Sequence, residues 1–345
     1  MMMLAQPSAP LIYDVVYSKN ITNRWCAQEI FTSFFNTLTK VQEQSPSHIL
    51  KQQFEALFVS IFLNPTSKSE SNQMIELFYK LIAYTRDVKA LGHYMHGYML
   101  LVELFKFGNK YEKQVNKDTI QNNVFFLFES FVKNYGSWKD LKYFLNYYVE
   151  ELHKEKPKNL SNDFFINKII KMVCKQMKEN SNSLIAKWLP REKCNKFGWQ
   201  TPLIAREYYS EWFSENMSEG QYKAATRKSL THFRQLISSL NKKLNTTQIY
   251  QCNNNWSQID FNKDVSKITM YKQKKAFNCV NKMMSDNQKY KDRIQCKVNY
   301  NNHRNQPIDL DQSTVQPMTQ LIKSWDTIVK ELTNNRYNNL DVLKN

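Results

Sequence analysis

Apolar residues recur every three or four positions from about residue 25 to about residue 245, and these stripes predict a succession of amphipathic helices. Leu50, Phe54, Leu57, Phe58 and Ile61 mark one helix face, with Ser45 as its N-cap and Pro46 at its first position. Met74, Leu77, Phe78, Leu81 and Ile82 mark the next. Between residues 124 and 152 two apolar-periodic runs meet at Tyr135-Gly136-Ser137 with almost no loop. Gly136 is suited to close the first run in a left-handed conformation, and Ser137 with Asp140 to cap the second, so the pair should be antiparallel or sharply angled. Ile166, Ile169, Ile170, Val173 and Met177 predict a further buried face, and Leu230, Phe233, Ile237, Leu240 and Leu244 a long helix over about 220–244. No alternating strand pattern is seen. Beyond about residue 281 the periodicity fades: residues 297–318 read as a polar loop or linker, followed by a last helix near 318–334.

The expected fold is therefore all-α. Helix pairs at intervals of roughly 40 residues suggest a HEAT-like α-solenoid or ring of antiparallel helix pairs. The expected organisation is an N-terminal segment (1–24), a helical repeat domain (25–280), and a linker with a C-terminal helix (281–345). Six glycines in 345 residues leave little room for glycine-lined phosphate loops, and neither dinucleotide-binding nor P-loop motifs occur. The start of the chain lacks a basic, apolar leader, so no secretory signal is expected. The most apolar segment, 96–108, is interrupted by Glu103 and Lys106 and falls short of the ~20 residues a bilayer requires, so no membrane partner is expected. Cys26, Cys174, Cys194, Cys252, Cys279 and Cys296 form no C-x-x-C pair and read as reduced thiols of a cytoplasmic protein.

The net charge of +17 changes this picture because it is unevenly spread. Residues 1–100 carry 8 basic and 7 acidic side chains, whereas residues 201–300 carry 17 and 8. From Gly220 through Ile259 there is no Asp or Glu, yet Lys223, Arg227, Lys228, Arg234, Lys242 and Lys243 lie there, followed by Lys272, Lys274 and Lys275. On a helix at about 100° per residue, Lys223, Arg227 and Arg234 share a narrow wedge, without acidic partners close in sequence. Upstream, residues 183–200 combine Trp188 and Trp199 with Lys187, Arg191, Lys193 and Lys196. The indoles read as core, Trp188 plugging a junction where Pro190 ends a helix, and the charges as its outer surface. Such a basic face fits a polyanion, although the abundance of Lys, Asn, Ile, Tyr and Phe is also what A+T-rich coding produces.

Candidate chemistry is sparse. His93 and His96 are spaced to share a metal but have no third ligand close in sequence, and they read as ordinary polar or half-buried histidines. Cys174 and Cys194 read as buried small hydrophobes in helices. No catalytic, cofactor or metal residue is assigned, and an enzyme is not expected.

Three segments carry a resemblance: "LIAYTRDVKALGHY" (81–94), "SLIAKWLPREKCNKFGWQ" (183–200) and "FRQLISSLNKKLNTTQIYQCNNNWSQIDFNKDVSKITMYKQKKAF" (233–277). Over about residues 75–280 the chain is similar to a TROVE-like family of giant viruses, fungi and plants. Where that family reads G-K-G-E after its T-R-D, this chain has Ala90, Leu91, Gly92 and His93. No D-x-S-x-S motif of an appended von Willebrand A-type domain is present in the chain. The resemblance implies a ring or arc of HEAT-like helices, similar to the RNA-binding module of the Ro autoantigen. Relatives of that module hold structured RNA on an outer basic face and single-stranded ends in a central hole. The expected partner is thus RNA, structured or single-stranded, with a von Willebrand A-type domain supplied by a separate chain. The alternative is a scaffold protein of a virus factory or particle with no nucleic-acid role.

Overall fold

A computed structural model describes residues 24–40, 48–63, 68–153, 160, 163–179, 184–244, 246–278, 288–305 and 323–344. Every regular element among them is helical. In chain order these are α1 (Arg24–Lys40), α2 (His48–Phe58), α3 (Lys68–Arg86), α4 (Tyr94–Lys110), α5 (Lys117–Ser130) and α6 (Lys139–His153). Then come α7 (Phe164–Glu179), α8 (Ile185–Trp188), α9 (Gln200–Tyr208), α10 (Glu219–Lys243) and α11 (Thr247–Cys252). The last are α12 (Lys267–Lys272), α13 (Lys274–Asn278), α14 (Gln288–Arg304), α15 (Trp325–Leu332) and a 3₁₀ segment, Asn335–Lys344. The predicted Ser45 cap, the Pro46 start and the N-terminal segment before Arg24 lie outside the described residues.

The chain divides into two compact units. Unit 1 comprises residues 1–170, 188–200 and 318–345; unit 2 comprises residues 171–187 and 201–317. In unit 1, α4 is the central rod. Its run from His96 to Leu104 is buried on all sides, as a helix without a polar face must be. Helices α2, α3, α5 and α6 pack on it. At Gly108 the neighbouring helix comes so close that an added Cβ would lie 3.0 Å from Ile120 Cγ2. Phe54 and Phe78 stack with ring centroids 5.1 Å apart, and Phe58 meets Phe107 at 5.1 Å. Helices α5 and α6 touch through Phe128 and Phe144 (4.6 Å), and each lies against α4. None of the described helices is long and apolar enough to cross a membrane.

Gly136 departs from expectation. Its φ of −134° and ψ of −122° are not left-handed. Glycine is required here for space: a Cβ would overlap the Asp140 carboxylate and the Arg86 guanidinium. These two form a buried bidentate pair, Arg86 Nε donating to Asp140 Oδ1 (3.0 Å) and Nη2 to Oδ2 (2.7 Å). Ser137 N–H (2.7 Å) and the Tyr98 hydroxyl also donate to Asp140. Asp140 therefore does cap α6, by accepting from the Ser137 backbone.

The adjacent carboxylate, Asp87, is fully buried and receives Arg336 Nη2 (2.8 Å), Arg336 Nε, Tyr337 hydroxyl (3.1 Å) and Lys89 N–H (2.9 Å). Tyr84 donates to Glu331 (2.9 Å) and Tyr135 to Asn339 (2.6 Å), so α15 is stitched onto α3, and the 3₁₀ segment onto the turn after α5, by polar contacts as well as by the buried Ile328, Leu332 and Leu340. The last helix begins at Trp325, later than the periodicity predicts, because Ser324 caps it by accepting from Thr327 N–H (3.3 Å); residues 318–322 lie outside the described set.

His96 is fully buried, not half-buried. Its Nε2 has no hydrogen-bond partner among the described residues, and Nδ1 lies 3.4 Å from His93 Nδ1. Burial, helped by His93, pulls its pKa down to about 4. A base depressed below its unfolded value favours the neutral form on folding. The stability His96 contributes is therefore present above about pH 6.5 and should drain away as pH falls toward 4. Urea unfolding from pH 7 to 4 should show a steeper acid loss in wild type than in His96→Leu; equal slopes would refute this.

Unit 2 contains a second, smaller core in which Ile259, Phe261, Val265, Phe277, Cys296 and Tyr300 cluster, with Tyr250, Trp256 and Met270 against them. Residues 297–304, expected as loop, are the C-terminal half of α14. This helix has few apolar positions, and among its described side chains only Cys296 and Tyr300 (one turn apart) are deeply buried, so periodicity hardly registers it. Tertiary hydrogen bonds hold it instead: Asp292 accepts from Trp256 N–H (2.6 Å) and Ser257 N–H (3.0 Å), and Asn299 donates to Ser257 O (3.1 Å).

Candidate anion-binding surface

Helix α10 is the principal feature of unit 2. Ser218 and Gln221 form a reciprocal capping box at its start, and Ala225, Ser229, Phe233, Ile237 and Leu240 form its buried stripe. Its 25 residues include six lysines and arginines and one carboxylate, Glu219. All thirteen basic residues singled out in the sequence are exposed. Arg191, Lys193 and Lys196 belong to unit 1; Lys187, the six on α10, and Lys272, Lys274 and Lys275 belong to unit 2. By sequence, unit 2 holds 22 basic and 11 acidic residues and unit 1 holds 26 and 20, so the smaller unit carries the larger excess.

Lys223, Arg227 and Arg234 project from one side of α10, but Lys223 does have an acidic partner. It pairs with Glu219, one turn earlier and just outside the acid-free window. Both side chains are exposed, so the pair is weak and replaceable by another anion. Arg234 donates to Thr231 Oγ1 (3.0 Å). Lys228 sits over the Trp212 ring (4.5 Å), and Trp212 stacks on Tyr209 (4.3 Å, 17°) with His232 at its edge. Arg206 donates to the Tyr222 hydroxyl (3.2 Å) and lies over Phe213 (5.9 Å). Lys242 and Lys243 occupy the last turn, where they complement the helix dipole.

Sequence reading missed a lysine-lined cleft of about 390 Å³. Lys171, Lys175 and Lys178 of α7 line it together with Cys174, Glu179, Glu207 and Ser210. The lysines are spaced i, i+4, i+7, a signal the sequence held but which the apolar stripe of the same helix overshadowed. Cys174 is buried, its thiol donating to Ile204 O (3.6 Å), and burial pushes its pKa up to about 12. It is a thiol at neutral pH and no nucleophile.

The two indoles of residues 188–200 are less buried than predicted. Trp188 and Trp199 are half-buried, while Leu189, Pro190, Phe197 and Gln200 are buried. The indole of Trp188 faces the Lys142 ammonium (5.3 Å), which also approaches Tyr143 and Phe197. Burial lowers the pKa of Lys142. Cys194 is half-buried in a turn, not a helix. That turn closes through Gly198 N–H to Cys194 O (2.7 Å), and Gly198 is obligatory because a Cβ would strike Glu192 O and lie 2.6 Å from Cys194 O.

Among the described residues no group of three or more His, Cys, Asp or Glu side chains could hold a metal ion. The class defined is an all-α protein with a basic, aromatic-studded second unit. No family model, curated protein or solved structure matches the chain.

Proposed function

We propose that the protein is a non-catalytic RNA-binding protein of the TROVE-like kind, with HEAT-like helix pairs, that holds RNA on the basic face of unit 2 inside the cell. The observation that carries this reading is α10, a 25-residue helix with six exposed basic side chains and one carboxylate. A solvated helix ordinarily intersperses both signs and draws support from i, i+4 pairs. An almost wholly basic helix forgoes that support and adds self-repulsion, which phosphates relieve. The cation–aromatic groups around Trp212 and Tyr222 supply the mixed surface that nucleic acids favour. A von Willebrand A-type domain on a separate chain is the protein partner this reading allows.

The test is the nucleic-acid content of the purified protein, read as its 260/280 nm absorbance ratio before and after nuclease at high salt. A ratio that starts high and falls, with RNA rebinding at low salt, supports the proposal. A protein that is free of nucleic acid and does not bind added RNA is instead a scaffold whose charge serves an acidic protein partner.

A further inference from the structure

Tyr271 is 84% exposed, the most exposed large apolar side chain among the described residues. Its backbone is nonetheless well held. Ser266 caps α12 by accepting from Thr269 N–H (3.2 Å), Gln273 N–H closes it on Thr269 O (2.9 Å), and α13 follows with Phe277 N–H on Gln273 O (3.0 Å). Phe277 is fully buried in the second core of unit 2, and Met270 packs against the same cluster. The segment is thus anchored to that core, and the phenol ring stands out into solvent. Lys272 adjoins it in sequence, and Lys274 and Lys275 open α13 three and four positions on. All three lysines are exposed.

We propose that Tyr271 is a stacking platform for a base of single-stranded RNA whose phosphates lie on Lys272, Lys274 and Lys275. This rests on the RNA-binding reading above and narrows it to a strand with open bases. Lysines alone would hold any polyanion, including an acidic peptide, whether or not a ring stood among them. A ring open to solvent on an anchored segment, with three exposed lysines within four residues of it, matches a ligand that alternates flat π-faces with phosphates. In a duplex the base faces are covered by their neighbours, so the ligand the ring can use is single-stranded.

The experiment compares the full-length chain with Tyr271→Ala and Tyr271→Phe, each titrated with a labelled short oligoadenylate and with inorganic polyphosphate. Circular dichroism serves as the folding control. Tyr271→Ala should weaken oligoadenylate binding about tenfold, the scale of one lost base–aromatic stack. It should leave polyphosphate binding unchanged, and Tyr271→Phe should keep wild-type affinity for both. Equal losses for both probes, or none for either, would overturn the platform and leave the RNA-binding reading standing. A wild-type chain that does not bind oligoadenylate would overturn the platform, and one that also carries no RNA when purified and rebinds none would overturn both.

Discussion

Arg86→Ala should destabilise unit 1 by about 3–5 kcal/mol, the usual cost of removing one partner of a buried ion pair. Arg86 and Asp140 are 6% and 1% exposed, and both guanidinium–carboxylate bonds have good geometry. Truncating Arg86 strands the Asp140 charge in a low-dielectric interior. The Tyr98 and Ser137 donors remain, but neither carries a charge. Against a typical total of about 5–15 kcal/mol this is a large share of the stability. The pair as a whole has a smaller net value because both ions are desolvated, so the double variant Arg86→Met, Asp140→Leu should recover much of the loss. Urea unfolding of wild type, Arg86→Ala and the double variant measures this directly. A loss below ~1 kcal/mol for Arg86→Ala would mean the charge is solvated and the buried pair is wrong.

Replacing Lys223, Arg227 and Arg234 together by glutamine should leave the fold intact and change how RNA binding responds to salt. All three are exposed, and glutamine has a helix propensity close to theirs. Each phosphate contact with a single strand adds ~0.7 to the magnitude of the slope of log affinity against log salt, so three lost contacts make it shallower by about two units. Over a fourfold rise in salt, wild-type affinity should therefore fall roughly 20-fold more than that of the variant. Discrimination among RNA sequences should hardly change, because phosphate contacts position a ligand without reading it. The Glu219 pair sharpens the comparison: Glu219→Gln frees Lys223 and should strengthen binding slightly. An unchanged slope in the triple variant would turn the stripe toward some other partner.

Much of the helical architecture was legible because periodicity is a local signal. The stripes of Phe54 and Phe58, of Leu77 and Phe78, and of Phe233 and Ile237 all became buried faces. What escaped was set by distant partners. The T-R-D triplet stands out as a motif, yet nothing local shows that Asp87 awaits Arg336 or that Arg86 awaits Asp140. Gly136 reads in the sequence as a left-handed helix stop, whereas its reason is the space taken by that ion pair. The second half of α14 was lost because its order depends on Asp292 and Asn299 hydrogen bonds, not on apolar repetition. The basic residues were legible as charge, and their exposure followed from the cost of burying them. The cleft of Lys171, Lys175 and Lys178 needed Glu207 and Ser210 from another element before it existed as a concavity.

The bond between Asp87 and Arg336 spans 249 residues, and all of unit 2 is encoded between its ends. A ribosome working at about 5–20 residues per second takes roughly 10–50 s to cover that distance. Throughout that interval the nascent first unit holds a carboxylate whose cationic partner does not yet exist, and the face of α3 that later receives Ile328, Leu332 and Leu340 is uncovered. The second unit can meanwhile collapse on its own aromatic cluster. The chain therefore closes like a parenthesis, its earliest helices completed last, and a nascent chain arrested before Arg336 should be cut by protease in the first unit while the inserted unit resists.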